Sequence, residues 1–243
     1  MNRMRAEVRP PTSVLGYGDL ATSLLLIFPL LLAYEIAVVF ASTINGVDFV
    51  TRSLFALVDH QRGDYLLLQL ALCGSYLAVV IQARRRGVLT RGCFVPMVLE
   101  SAIYALTLGS LIILIMQELL GFALATRALL ALGQVGEALV ISLGAGVHEE
   151  LVFRLGIMAG GAALLRRAGL EVRLAVLIGA IASAVLFSLA HHMGPHGEPF
   201  HIDVFTYRLL AGSVFCAIFY YRSLAHAVYT HFLYDLYVLA IQS

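Results

Sequence analysis

Glu149-Glu150-Leu-Val-Phe-Arg154 puts two adjacent carboxylates and a guanidinium inside an apolar run. Holding a charge at bilayer depth costs about 2.5 kcal/mol, or several times that, so such residues are candidates for function. Two later apolar segments carry Phe187-Ser-Leu-Ala-His191 and His231-Phe-Leu-Tyr-Asp235. Glu150 and Arg154 are four apart, on one helical face, and can pair. Pairing lowers the cost of both and sets Glu149 about 100° round the helix from its neighbour. A carboxylate in an apolar pocket is suited to taking a proton from water near neutral pH. An aspartate can fix a histidine's tautomer, or His231 and Asp235 can together bond a developing oxyanion. Each cluster also has a purely structural reading: a helix-locking salt bridge, an interfacial histidine at His191, and a helix–helix hydrogen bond at His231.

The elements that must position these groups are membrane helices. Of 243 residues, 60% are hydrophobic and 13% charged, roughly half the charged share of a soluble domain. The expected fold is all-α, a polytopic transmembrane helical bundle of seven to eight membrane helices in one integral membrane domain, 1–243. Apolar runs fall at about 20–42, 65–82, 95–120, 134–164, 172–192, 205–221 and 223–241, each near the length that crosses a bilayer. The stretch 121–134 is either an interfacial helix or part of an eighth crossing. Residues 1–130 supply N-terminal spans and 130–241 the core that holds the clusters. The first run is too long for a signal peptide and is read as a retained span.

A net charge of +1 and the lack of a basic patch with interleaved aromatics give no reason to expect a nucleic-acid partner. All 16 basic residues are arginine. Arg3, Arg5 and Arg9, then Arg84, Arg85, Arg86 and Arg91, then Arg166, Arg167 and Arg173, then Arg222 fall on one side of alternating crossings. The positive-inside rule makes that side, and the N-terminus, cytoplasmic. Connections 43–64 and 193–204 then face outward. Cys73, Cys93 and Cys216 have no metal spacing and read as buried small hydrophobes. His192, His196 and His201 read as solvated loop residues, and His226 lies off the site. Glu35, Glu100, Glu118 and Glu137 are single acids, mostly interfacial or water-facing by expectation, with Glu137 able to line a cavity. Gly156 and Gly160 have the spacing that permits close helix approach.

The ordered set Glu149-Glu150-x-x-x-Arg154, Phe187-x-x-x-His191 and His231-x-x-x-Asp235, over about residues 130–241, resembles the CAAX-protease and bacteriocin-processing (CPBP, Abi) family of intramembrane proteases. The resemblance implies that Glu149 and His191 activate a water, that His231 and Asp235 stabilise the oxyanion, and that Glu150, Arg154 and Phe187 support the site. The family's last motif usually ends in asparagine. Asp235 departs from that, and as a charged carboxylate it would repel an oxyanion unless protonated or paired with His231. The His-Glu-x-x-His spacing of zinc peptidases is absent after His148-Glu149. The expectation is therefore a glutamate-dependent intramembrane endopeptidase with no cofactor and no metal, a zinc-dependent version being the alternative. The expected partner is a membrane-anchored protein or its C-terminal tail, cut in the middle-to-outer half of a bacterial inner membrane. That fits the branch that trims sorting tails (myxosortase-like). Rival readings are a non-catalytic membrane factor, such as a bacteriocin-immunity protein or scaffold, and a proton-relaying transporter.

Overall fold

Asp19 opens the first helix by accepting from Thr22 N at 2.8 Å, which satisfies one of the amides that a helix start leaves without a partner. The computed structural model describes residues 19–41, 47–84, 94–122, 135–194 and 197–241, all helix and short connections with no strand among them. The helices are α1 (Leu20–Phe40), α2 (Phe49–Leu57), α3 (Arg62–Arg84), α4 (Phe94–Leu114), α5 (Val135–Gly144), α6 (Gly161–Arg167), α7 (Val172–Ala190), α8 (Ile202–Tyr221) and α9 (Leu224–Ile241). Five candidate spans (α1, most of α3, α4 with its continuation to Leu119, α7 and α8) are long and apolar enough to cross a membrane. The stretch read as an interfacial helix or part of an eighth crossing lies, from residue 123 to 134, outside the described residues, as does Cys93.

Between α5 and α6 the chain stays helical but widens. Ala145–Glu149 and Leu151–Gly160 are π-helical. The i→i+5 pattern is rare and tends to occur at functional sites. Here it falls on the turns bearing Glu149, Glu150 and Arg154. A separate, short π turn, Ile115–Leu119, closes α4.

Turns between spans follow local chemistry. Gly169 takes φ +97 after α6, a left-handed setting that glycine adopts without a Cβ clash. Glu171 then caps α7, accepting from Arg173 N at 2.8 Å and Leu174 N at 3.1 Å. Those backbone bonds hold its carboxyl below the ordinary glutamate range. Ser223 Oγ accepts from His226 N at 3.3 Å at the start of α9.

Helix α9 packs against α1, α4, α5, α8 and the first π segment, and α7 packs against α6, α8 and the second. Their shared core includes Met158, Phe187, Phe215, Phe219, Leu224 and Val228, all buried. Large apolar side chains also face outward, among them Leu67, Leu70, Leu99, Ile103, Leu177 and Ile181. Apolar residues outside and ions inside are what a lipid solvent requires. The chain is a polytopic membrane protein.

The close helix approaches are not at the expected Gly156 and Gly160. A Cβ at either would come within 4 Å only of its own helix, among the described residues. The approaches occur at Gly144, Gly146 and Gly179, where a Cβ would lie 2.7 Å from Tyr34 Cε2, 2.7 Å from Phe232 Cβ and 2.5 Å from Met158 O. At Gly146 the clash extends to the Phe232 backbone nitrogen at 2.9 Å, so α9 must move. Gly146→Ala is expected to destabilise the bundle by about 1–3 kcal/mol through overpacking, with Gly156→Ala near neutral. Equilibrium unfolding of both variants in mixed micelles checks this, and equal effects would contradict it.

Candidate active site

The three sequence clusters meet. Glu150, on the π-helical stretch, is fully buried and lies 3.1 Å from Arg154 Nε through Oε2. Its other oxygen lies 2.7 Å from His231 Nδ1 on α9. His231 Nε2 is 3.5 Å from Asp235 Oδ2. Arg154, Glu150, His231 and Asp235 thus form one chain across two elements. With His231 doubly protonated they alternate in sign, an arrangement that lowers the cost of burying each charge. The link from Glu150 to His231 joins two motifs 81 positions apart and has no signature in sequence.

Glu149 points elsewhere. Its Oε2 lies 3.7 Å from His191 Nε2, just past the end of α7. His191 Nδ1 is 2.8 Å from the Phe187 carbonyl, and only a protonated nitrogen can donate to a carbonyl. That bond fixes the tautomer of the neutral ring and leaves the Nε2 lone pair facing Glu149. Glu149 and Nε2 are then both acceptors, and a water between them can give one proton to each.

Phe187 occupies the middle of the cluster. Arg154 Cζ sits 4.4 Å from its ring centroid, a cation–π distance. The His191 and His231 rings lie 4.9 Å and 5.8 Å away. Phe215 stacks on His231 at 4.5 Å, and Arg154 Nη2 donates to Gly212 O at 3.3 Å. Side-chain exposure rises from 2% at Glu149 to 17% at His191 and 26% at Asp235. The site is therefore reached from the side of those two residues.

The loop after His191 is folded onto it. Glu198 N donates to His191 O at 2.9 Å, and Arg208 on α8 grips Glu198 with two 2.8 Å bonds. Burial pushes the Glu198 carboxyl up, but the Arg208 guanidinium more than offsets this and holds it below the ordinary range. His192, expected in solvent, is half-buried against Phe200, with ring centroids 5.1 Å apart. His201 is exposed and His196 lies outside the described residues.

One further expectation changes. Glu35, read as interfacial or water-facing, is 4% exposed and lies 3.1 Å from His148 Nε2. The connection 43–64, read as facing the outer side of the membrane, contains α2, and its cap Asp48 is 1% exposed and 2.9 Å from His148 Nδ1. His148 has no partner at helical spacing in the sequence beside the carboxylates that follow it. An acid alone in an apolar helix was the available signal, but a partner on a distant element is not readable from spacing. His226 lies apart from the site, as expected, next to Glu100 at 3.4 Å. Cys73 and Cys216 are buried and unbonded to each other.

A zinc site needs three or more donors converging on one point. Among the described residues no such group of histidine, cysteine, aspartate and glutamate occurs. His231 turns both ring nitrogens toward carboxylates.

Ionisable pairs on late helices of a membrane bundle, one of them able to hold a water, are what hydrolysis inside a membrane would need. Residues 131–237 match the family model described as Type II CAAX prenyl endopeptidase Rce1-like. No curated protein and no solved structure gives a match to the chain. That segment, a little under half of the chain, is similar to the Rce1-like family.

Proposed function

We propose that the protein is a glutamate-dependent, metal-free intramembrane endopeptidase that cuts near the membrane-embedded C-terminal tail of a protein substrate. The observation that carries this reading is the 3.7 Å separation of Glu149 Oε2 from a His191 Nε2 whose tautomer is set by the Phe187 carbonyl. A water held there loses a proton to Glu149 as its oxygen attacks the scissile carbonyl, and the carbonyl becomes a tetrahedral oxyanion. The Nε2–H of His231, whose 3.5 Å contact with Asp235 is long for a hydrogen bond, donates to that oxyanion while Glu150 holds Nδ1 and Arg154 holds Glu150. Collapse of the intermediate breaks the C–N bond, and the proton on Glu149 passes to the leaving amine. Asp235 orients and neutralises His231 rather than donating itself. The arginine distribution supports a cytoplasmic N-terminus, and the same proposal places the cut in the middle-to-outer half of a bacterial inner membrane, as in the branch that trims sorting tails.

The Asp235 role has a direct test. His231→Ala is expected to slow cleavage about 10²–10³-fold, as loss of an oxyanion donor does, whereas Asp235→Asn stays within about tenfold of wild type. Rates are read on the membrane-bound tail that accumulates in cells when Glu149 is lost. A loss in Asp235→Asn as large as in His231→Ala would overturn the assignment. Full activity of the purified protein in a strong chelator is the expected result for the metal-free reaction, and loss restored by zinc would overturn it.

A further inference from the structure

The turn bearing Glu149 is held from a side that the three motifs do not reach. His148, one residue earlier, sits between two carboxylates, Glu35 Oε1 at 3.1 Å on α1 and Asp48 Oδ2 at 2.9 Å before α2. A ring facing acceptors through both nitrogens serves both as donor when it is an imidazolium. Each carboxylate is anchored in turn. Asp48 accepts from the Tyr34 hydroxyl, from Thr51 N at 2.9 Å and from Thr51 Oγ1 at 2.7 Å. Glu35 accepts from Tyr65 Oη at 2.7 Å. All of these side chains are buried. Gly144 admits the Tyr34 ring, which a Cβ there would meet at 2.7 Å.

Three successive residues therefore point to three parts of the bundle. His148 goes to α1 and α2, Glu149 to His191, and Glu150 to His231 on α9. With the residues on both sides pinned, the wide π turn cannot rotate about its axis. Apolar residues would dock α1 onto this helix without the desolvation cost of three buried ions. What ions add is direction. Neither Glu35 nor Asp48 lies in the segment 131–237 that matches the family.

We propose that His148, clamped by Glu35 and Asp48, is a positioning residue that sets the direction of the Glu149 carboxylate, so that the site is complete only with α1 and α2 docked. The consequence for catalysis rests on the hydrolytic reading of Glu149; the geometric part does not. The experiment therefore has two arms, both in the full chain.

In the first arm, Cys73, Cys93 and Cys216 are replaced by alanine, and Glu149→Cys with His191→Cys are bridged by a short bifunctional methanethiosulfonate. Yield is read by intact mass. Glu35→Gln with Asp48→Asn, alone and combined with His148→Phe, is expected to drop the yield to that of the non-facing pair Glu149→Cys with Leu177→Cys. Gly136→Ala, an exposed site on the same helix with nothing within 4 Å among the described residues, keeps the full yield. If the combined variant fails to fold, Asp48→Asn alone, which retains the Thr51 cap, carries the test.

In the second arm, the Glu35→Gln, Asp48→Asn protein cleaves the tail that accumulates on loss of Glu149. Its kcat is expected to fall about 10²-fold, the cost of a misplaced reacting group, with KM nearly unchanged. Unchanged cross-linking in folded protein overturns the proposal whatever the activity. Lost cross-linking with no Glu149-dependent cleavage upholds the positioning and overturns the hydrolytic reading instead.

Discussion

Glu149→Gln is expected to slow tail cleavage by about 10²–10⁴-fold, the share that a positioned general base contributes. The substitution keeps the size of the side chain and removes its capacity to take a proton. It also presents an amide donor toward His191 Nε2, 3.7 Å away in the wild type, and so displaces the water that both groups would otherwise accept from. The fold should survive, because the buried ion pair of this turn belongs to Glu150 and Arg154. Cleavage rates and unfolding midpoints measured on the same preparations check both halves. A rate within a few-fold of wild type would remove Glu149 from the chemistry, and a collapsed fold would assign it to structure.

Arg154→Leu is the largest expected effect on stability. The side chain is fully buried and meets Glu150, the Gly212 carbonyl and the face of Phe187. Removing one partner of a buried pair leaves the other charge without compensation and typically costs about 3–5 kcal/mol. His231 remains beside Glu150 at 2.7 Å and moderates the loss toward the lower end. Adding Glu150→Leu removes the stranded carboxylate, so the double variant should be more stable than Arg154→Leu alone, a coupling that contact residues show. Equilibrium unfolding in mixed micelles reads all three proteins. Additive losses, or a single loss below about 1 kcal/mol, would mean that the pair does not carry the role that burial gives it.

The parts of the site that were legible in sequence are those with local spacing. Glu150 with Arg154 and His231 with Asp235 lie four apart on apolar helices, and each pair is within ion-pair reach in the structure. Phe187 and His191 follow the same rule, their rings meeting at 4.9 Å. Five helical spans were readable from apolar run length, and the run interrupted by π turns was readable as helix. What was hidden depends on approach between distant elements. The bond from His231 to Glu150 needs α9 to pass within a glycine's width of the π segment at Gly146. The His148 clamp needs α2 to fold inward, and a nine-residue amphipathic piece between two spans gives no sign of where it docks. The π turns were hidden for a different reason. A 3.6-residue period describes α-helical spans, and the wider i→i+5 turn shifts the facing of His148, Glu149 and Glu150 without altering their hydrophobic pattern. The same shift explains why Gly156 and Gly160, correctly spaced for an α-helical contact, face no neighbouring helix within 4 Å among the described residues.

The central claim, that Glu149 and His191 hydrolyse a peptide bond within the membrane, is tested most directly by terminal-peptide mass spectrometry of membrane and secreted fractions. Cells producing the wild type, Glu149→Ala, His191→Ala or Glu137→Ala are compared for protein C-termini. The account predicts uncut C-terminal tails in the membranes of the first two variants, with Glu137→Ala matching wild type. Identical C-termini in all four would contradict it.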